Sequence, residues 1–305
     1  MDQSWRETLE LTVLPLWEGR TVGRLLRGEL GLTDHPIARL KRRPDGLRLN
    51  GSPCRVTDRV RAGDVLSVRI GDPDRPGGAE PVSVPLAVVY EDGDLAVIDK
   101  PAGMVVHGAA GGPPTVANAW AALWGPERPF HPVHRLDRGT SGLLVVAKSA
   151  YVQERLRRML HTDAFRREYL ALTGAVPVPE EGCVELPIGR DGTHPTRRRI
   201  DPRGQSARTD YALEERFPGG ALLRLRPVTG RTHQIRVHMA AVGCPLLGDA
   251  LYGGELSGLT RPALHSAHIV LRQPLTGELL DLRSPLPADL EAVRTRESRK
   301  EKESP

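Results

Sequence analysis

The sequence predicts a two-part protein that combines short β-strands with a few amphipathic helices. Apolar runs of strand length occur at residues 86–90, 95–98 and 143–147, and other segments carry apolar residues at helical spacing. Prolines and glycines in residues 71–78 exclude helix and strand there and mark a boundary between the two parts. With 305 residues, 39% of them apolar, the chain is long enough to bury one large core and one small one.

The smaller part is predicted at residues 10–72. Apolar residues from Val22 to Leu30 have the spacing of one helix, and Ile37 and Leu40 indicate a second. The dipeptide Asn50-Gly51 predicts a hairpin turn between strands. The second helix is expected to carry a basic cluster, which consists of Arg39, Lys41, Arg42 and Arg43.

The larger part is predicted at residues 86–292, after a linker at 73–85. An amphipathic helix is expected from about Ala150, and a half-exposed strand at 223–226. A short helix at 232–242 should end at Gly243 and Pro245. Residues 293–305 are mostly charged or polar, which predicts a disordered tail.

Composition and charge narrow the class of protein. No apolar stretch is long enough to span a bilayer, and the N-terminus lacks a signal peptide, so a cytoplasmic protein is expected. The three cysteines are scattered, which argues against a disulfide framework or a zinc site. Net charge is only +5, but arginines cluster at 155–167 and 197–208 as well as around the second helix. Such clusters suit a polyphosphate partner, and an aromatic content of 4% favours folded RNA over stacked single strands.

A charged turn at residues 134–138 is the strongest candidate for a functional site. It holds one carboxylate, Asp137, between His134, Arg135 and Arg138, and it leads directly into the apolar run at 143–147. A core has no reason to collect such residues, whereas loops on rigid strands often carry chemistry. From spacing alone, a surface loop with an ion pair remains an equal alternative.

Residues 134–142 resemble the signature of the RluA-type pseudouridine synthases, His-Arg-Leu-Asp, a variable pair and Thr-Ser-Gly. Further segments resemble the same family in the same order, so that the resemblance covers roughly residues 88–290. These segments are 99–107, 167–169, 230–238, 264–266 and 285–287. Arg167 stands where the family usually has lysine. The N-terminal part resembles, more weakly, the S4 RNA-binding domain.

The resemblance implies an α+β fold with a central, mainly antiparallel sheet, a cleft that contains Asp137, and a small S4-like α/β module. It implies an enzyme that isomerises uridine in RNA, by moving uracil from its N1 linkage to a C5 linkage. No redox change occurs, so no cofactor is expected. Large-subunit ribosomal RNA is expected as the substrate in preference to tRNA, and the protein is expected to be a monomer. The basic cluster Arg39, Lys41, Arg42 and Arg43 would contact RNA phosphates.

The resemblance also assigns roles in the cleft. Asp137 would be the catalytic carboxylate, acting either as a nucleophile or as a base that yields a glycal. An ionised carboxylate in a dry pocket needs a cation, and Arg231 matches the family arginine that pairs with it. Tyr169 would lie against the target base and Ile235 opposite it. Arg135 would fill the gap left by the flipped nucleotide, and His134 would belong to the same substrate-binding set.

Two alternatives remain at this stage. The same fold could serve a catalytically silent RNA-binding or ribosome-assembly factor. A hydrolase that uses Asp137 is remote, because the matched loops offer no clear second carboxylate, and Asp210 and Glu168 have no assigned partner role. His134, His233, His238 and His265 lack a recognised ligand spacing, so no metal site is expected.

Overall fold

The computed structural model describes residues 5–72, 78–108, 112–160 and 162–303, with side chains as far as residue 298. Its helices are α1 (Val22–Gly28), α2 (Asp34–Lys41), α3 (Val116–Trp124), α4 (Ala150–Met159), α5 (Gln234–Ala241) and α6 (Ala288–Glu303). None of these helices is both long enough and apolar enough to cross a membrane.

The strands form one small sheet and one large sheet, with a separate two-stranded hairpin. Those of the N-terminal module are β1 (Thr8–Thr12), β2 (Leu47–Leu49), β3 (Ser52–Pro53) and β4 (Val65–Arg69). The remaining strands are β5 (Ala87–Glu91), β6 (Leu95–Lys100), β7 (His131–Pro132), β8 (Ser141–Ala147), β9 (Phe165–Thr173), β10 (Glu181–Val184), β11 (Ile188–Arg190), β12 (Arg198–Ile200), β13 (Thr209–Phe217), β14 (Gly220–Pro227), β15 (Leu264–Arg272) and β16 (Leu279–Arg283).

The N-terminal module has its own core. Helices α1 and α2 cover a sheet of order β1-β4-β2-β3, and Leu25, Leu26 and Leu66 are fully buried between them. Asn50 and Gly51 both have positive φ, which confirms the predicted hairpin turn. The basic cluster is only partly helical, because α2 ends at Lys41 and leaves Arg42 and Arg43 in the following turn.

The larger part is built on a ten-stranded sheet, of order β10-β13-β14-β9-β15-β8-β6-β5, with β16 on β15 and β7 on β8. Every pairing in it is antiparallel except that of β8 with β15, so the expected mainly antiparallel sheet is confirmed. Leu144 of β8 faces the core beneath α3, whereas Leu143 faces the core beneath α4. Neighbouring residues of a strand point to opposite faces, and both faces of β8 are buried. The sequence of β8 is therefore one continuous apolar run.

Gly142 is required where β8 approaches β15. Its φ is +106°, and a Cβ there would lie 2.3 Å from the Ser266 carbonyl oxygen. A larger residue would therefore force apart the parallel pair that begins at Ser141 and His265. This close approach fixes the strand immediately after the charged turn.

Direct contacts join the module to the sheet. Asp72 Oδ2 accepts a hydrogen bond from Ala150 N at 2.6 Å and lies 3.0 Å from His131 Nε2. Tyr151 Oη donates to Leu30 O at 3.0 Å, and the Trp5 ring packs edge-on against Trp120. The module is therefore held by more than the predicted linker, of which residues 73–77 lie outside the described part.

The predicted tail is wrong for residues 293–303. Helix α6 continues to Glu303, and its Leu290 and Val293 pack on Phe217. Ser298 Oγ donates to Glu215 at 2.8 Å. A few apolar residues among many charged ones were enough to dock this helix, because the charged residues can face solvent. Residues 304 and 305 lie outside the described part.

Replacing Asp72 with asparagine should loosen the docking of the module. Burial raises the pKa of Asp72, but hydrogen bonds from His131 and Ala150 N and the charges of His131 and Arg39 outweigh burial, so its pKa lies below the ordinary 3.8. A carboxyl group whose pKa is lower in the folded state stabilises the fold at pH values above its unfolded pKa. This contribution is lost as the pH falls through the folded pKa. We expect Asp72→Asn to lower the free energy of unfolding in urea by about 1.5–3 kcal/mol at pH 7. The difference should shrink below about pH 4, and an equal loss at all pH values would contradict this account.

Candidate active site

Asp137 lies in the loop between β7 and β8, at the side of a cleft. Leu136, which is buried, anchors the loop to the core, and Thr140 N donates to Asp137 O at 3.1 Å. The other walls come from the end of α4, strand β9 and the start of α5. The Asp137 side chain is 27% exposed, so it is open to a substrate while most of its surface is covered.

Arg236 is the cation beside Asp137. Its Nη1 lies 3.6 Å from Asp137 Oδ2, while Nε and Nη2 donate to the buried carboxylate of Asp249 at 2.7 and 2.8 Å. The Tyr252 ring covers the guanidinium, with the Arg236 Cζ 4.9 Å from the ring centroid. Burial lowers the pKa of Arg236, but the hydrogen bond and charge of Asp249 outweigh burial and raise it. The guanidinium is thus fixed with one edge free for Asp137.

The prediction that Arg231 pairs with Asp137 is wrong. Arg231 also lines the cleft, but its Nε donates to Ser206 O at 3.0 Å and its side chain is exposed. Both arginines belong to the segment 230–238, and only Arg236 lies on α5. The turn before α5 directs Arg231 away from Asp137, whereas the first turn of the helix directs Arg236 towards it.

Buried Gln234 fixes the start of α5. Its Oε1 accepts from Arg231 N at 3.0 Å and from Thr229 Oγ1 at 2.6 Å, and its Nε2 donates to Arg208 O at 2.8 Å. His233, just before it, has a φ of 58°, which turns the chain sharply into the helix. The loop and the helix start are therefore held as one unit under Ile235 and Arg236.

Tyr169 and Ile235 line the same cleft as Asp137, as the sequence predicts. Tyr169 lies on β9, near the middle of the large sheet, where it is almost fully buried. Burial raises the pKa of its hydroxyl, which the charge of Arg167 and a hydrogen bond with Ser266 partly offset. The hydroxyl is therefore neutral at physiological pH, and the ring forms a rigid apolar wall.

Arg135 and His134 differ in accessibility although they are neighbours. Arg135 is exposed at the cleft, and no hydrogen bond or ion pair engages its side chain within the described residues. The His134 ring is buried in the cleft wall, where its Nε2 accepts from Val145 N at 3.3 Å. Burial, helped by the charge of Arg167, lowers the pKa of His134 to about 3, so the ring is neutral. His134 thus supports β8, and its predicted contact with substrate stays a prediction.

Comparisons with known proteins agree with this geometry. Residues 94–241 match the family described as RNA pseudouridylate synthase. The chain is 42% identical to the ribosomal large subunit pseudouridine synthase D of Haemophilus ducreyi, over 71% of this chain and 73% of that protein. Its identity to the protein of the same name from Xanthomonas campestris pv. campestris is 38%, over 80% and 79% of the two chains. The chain belongs to the RluA family of RNA pseudouridine synthases.

A solved structure gives the same assignment of fold. The human RNA pseudouridylate synthase domain containing 4 superposes with a TM-score of 0.57 at 27% identity, and covers 69% of this chain and 92% of that one. This protein is therefore an isomerase that converts uridine to pseudouridine in RNA. None of these comparisons tests the S4 resemblance, which stays a prediction.

Lys100, which lies behind Asp137, is a residue to which the sequence analysis assigned no role. It is fully buried, and its Nζ donates to Pro101 O and Met104 O at 2.9 Å and to Arg138 O at 3.5 Å. Burial lowers the pKa of Lys100 to about 8, and the negative charge of Asp137 partly offsets this. The ammonium therefore ties two loops together behind Asp137 and adds positive charge. The segment Asp99-Lys100-Pro101 within the family match was the available signal.

Arg167 is a second residue at the cleft to which the sequence analysis assigned no role. It is 6% exposed and lines the cleft, yet no hydrogen bond or ion pair engages its side chain within the described residues. Its guanidinium nitrogens are not among the buried atoms that lack a partner in the described residues, so they open onto the cleft and can contact an anionic ligand. Its departure from the family's lysine was visible in the sequence, but its burial was not.

Tyr252 links the cleft to the arginine-rich hairpin β11–β12. Its Oη accepts from Arg198 N at 2.9 Å and lies 2.9 Å from His233 Nδ1. The same ring covers Arg236. The hairpin, which carries Arg190, Arg198 and Arg199, is thus attached to the residues that hold the Asp137–Arg236 pair.

The remaining matched histidines have structural partners. His238 Nδ1 lies 3.0 Å from Thr209 Oγ1 and its Nε2 lies 2.9 Å from Leu186 O. His265 Nδ1 lies 3.0 Å from Ser141 Oγ. Within the described residues, no group of three or more histidine, cysteine or acidic side chains is arranged to hold a metal ion.

Replacing Asp249 with asparagine should lower activity without removing any group from the cleft. The change removes the charge from two hydrogen bonds that orient Arg236, at a cost of about 1.5–3 kcal/mol in alignment. If the aligned guanidinium acts mainly in the transition state, the single-turnover rate should fall about 10- to 100-fold, with RNA affinity little changed. The matched control is Glu215→Gln, which removes a carboxylate charge from the Arg294 ion pair on β13. Equal rates for both variants would contradict the role given to Asp249.

Proposed function

We propose that this enzyme modifies large-subunit ribosomal RNA, with Asp137 as its one catalytic carboxylate and with no cofactor. The observation that carries the proposal is the Asp137–Arg236 pair, because Asp137 is the only carboxylate among the described residues that line the cleft. A glycosidase-like hydrolysis normally uses two carboxylates to manage the attacking water. An isomerisation in which the departing base returns to the sugar needs only one.

The proposed reaction begins when the N1–C1′ bond of the target uridine breaks. Asp137 either attacks C1′ to form an ester or removes the proton from C2′ to leave a glycal, and both routes remain open. The released uracil turns within the cleft and its C5 attacks C1′. This attack breaks the ester to Asp137 in the first route, and in the second route C2′ takes its proton back from Asp137. The proton on C5 is then lost and N1 regains one. Arg236 keeps the Asp137 carboxylate aimed at the sugar throughout.

The cleft walls would hold the freed base. In this proposal the Tyr169 ring lies against one face of the uracil and Ile235 against the other, since both are buried residues that line the cleft beside Asp137. Rigid apolar walls exclude water, which would otherwise trap the sugar as a hydrolysis product. Arg135, exposed and without a side-chain partner among the described residues, would enter the gap that the flipped nucleotide leaves in the RNA.

The choice of ribosomal RNA rests on the relatives. Those from Haemophilus ducreyi and Xanthomonas campestris are named for the large ribosomal subunit and match more than two thirds of this chain. The S4-like module would add phosphate contacts through Arg39, Lys41, Arg42 and Arg43. On this proposal the enzyme acts as a cytoplasmic monomer on ribosomal RNA or its precursors.

Replacing Asp137 with asparagine should abolish isomerisation and leave RNA binding within about threefold of wild type, because the amide keeps the size of the side chain but not its charge or basicity. The measurement is a map of pseudouridines in total RNA from cells that lack the protein, rescued with the native chain or with Asp137→Asn. One or a few large-subunit sites should vanish and return only with the native chain. Restoration by the variant would remove Asp137 from the catalytic role. A map with no change would favour the assembly-factor alternative.

Replacing Arg135 with alanine should affect paired targets most. If Arg135 fills the gap left by a flipped base, its loss should lower kcat/KM about 10- to 100-fold on a uridine within a stem. The effect should be several-fold smaller on an unpaired uridine, which needs less unstacking. Arg272→Ala, an exposed arginine at the far end of β15, is the control for lost charge. The same loss on both substrates would contradict a flipping role.

A further inference from the structure

Two basic clusters that are far apart in the sequence meet at the junction of the module and the sheet. Arg39 and Arg43 from the module and Arg155 and Arg158 from α4 line one crevice. Its floor includes Asp72 and Tyr151, the residues that dock the module. The crevice therefore exists only because the module is held against α4.

Positive charge in this crevice exceeds negative charge. Five arginines line it, the four named above and Arg69, against two lining carboxylates, Asp72 and Glu154; Arg69 also pairs with Asp45 and Glu7, which leaves one arginine in excess. Glu154 pairs with Arg158, and Asp72 is shared between Arg39 and His131. Arg155 donates to Pro274 O and Leu30 O, which hold the side chain in place without cancelling its charge. A concave site with surplus arginine suits a phosphodiester backbone.

Helix α4 connects this crevice to the catalytic cleft. Arg157 lines the cleft, whereas Arg158, the next residue, lines the crevice. Successive residues of a helix point about 100° apart, so the helix presents one arginine to each side. The Arg157 side chain is exposed and has no hydrogen bond or ion pair among the described residues. Arg167, whose side chain makes no hydrogen bond or ion pair among the described residues, also lines the cleft.

We propose that Arg167, Arg157, Arg158 and the junction crevice form one phosphate track, along which the RNA strand that flanks the target uridine leaves the cleft. The proposal rests on the assigned RNA substrate and extends it to a second binding site. The track reads no bases, because its described cationic groups suit the backbone rather than base edges. Its consequence is that the module and α4 bind RNA as one surface, so the basic cluster does not act as a separate RNA-binding unit.

The test measures RNA binding by the full chain as a function of salt. The short probe is a labelled ribosomal stem-loop that contains the mapped target uridine, and the long probe adds single-stranded flanks on both sides. Each lost phosphate contact should reduce the slope of log K against log salt by about one. Arg158→Gln should do so on the long probe only, whereas Arg157→Gln, at the cleft, should do so on both. The control Arg216→Gln removes an exposed arginine of β13, which pairs with Glu180.

Arg158 also donates to Gly31 O, so its loss could act by loosening the module. Arg158→Lys separates the two causes, because lysine keeps the charge but not the geometry of the guanidinium. A long-probe slope restored by lysine supports the track. Two results would overturn the track: a long-probe slope that is the same for Arg158→Gln and Arg216→Gln, or a slope that Arg158→Lys does not restore. Pseudouridine formation on the short probe is scored separately, so a failure of the proposed target RNA would show as absent product with binding intact.

Discussion

The cleft depends on one buried guanidinium, that of Arg236. A cation in this position would be costly if left alone, and Asp249 satisfies two of its nitrogens while Tyr252 covers its face. The remaining nitrogen can therefore face Asp137 without being fully committed to it. The Asp137 carboxylate keeps an exposed side and a fixed orientation, which a direct bidentate pair with Arg236 would deny it.

The sheet supplies the rigidity that this arrangement needs. Strand β8 follows the Asp137 loop and is buried on both faces, and β9 brings Tyr169 to the same cleft. The close approach at Gly142 ties β8 to β15, and Lys100 ties the loop carbonyls behind Asp137. The groups that line the cleft are thus held in place, as the proposed turning of a freed base within it requires.

Much of this could be predicted from the sequence, since strand and helix periodicity located the main elements and a charged turn before an apolar run located Asp137. The partner of Asp137 could not be predicted from spacing. Arg231 and Arg236 stand five residues apart in one matched segment, and which one faces the cleft depends on where α5 begins. That start is set by long-range contacts, such as the one from Gln234 to Arg208 O. Likewise, α6 looked like a polar tail because only a few of its residues are apolar.

The position of the module shows why local composition underestimates function. Each arginine cluster by itself resembles an ordinary solvated face, and nothing in the spacing of Arg39 and Arg158 suggests that they share a crevice. They do so because Asp72 caps the start of α4, which places the C-terminal half of that helix between the module and the cleft. This buried carboxylate, together with the contacts of Tyr151 and Arg158 to Leu30 O and Gly31 O, thus sets where the charges on both sides of α4 lie. In the proposed phosphate track, docking and RNA contact would therefore both depend on this junction.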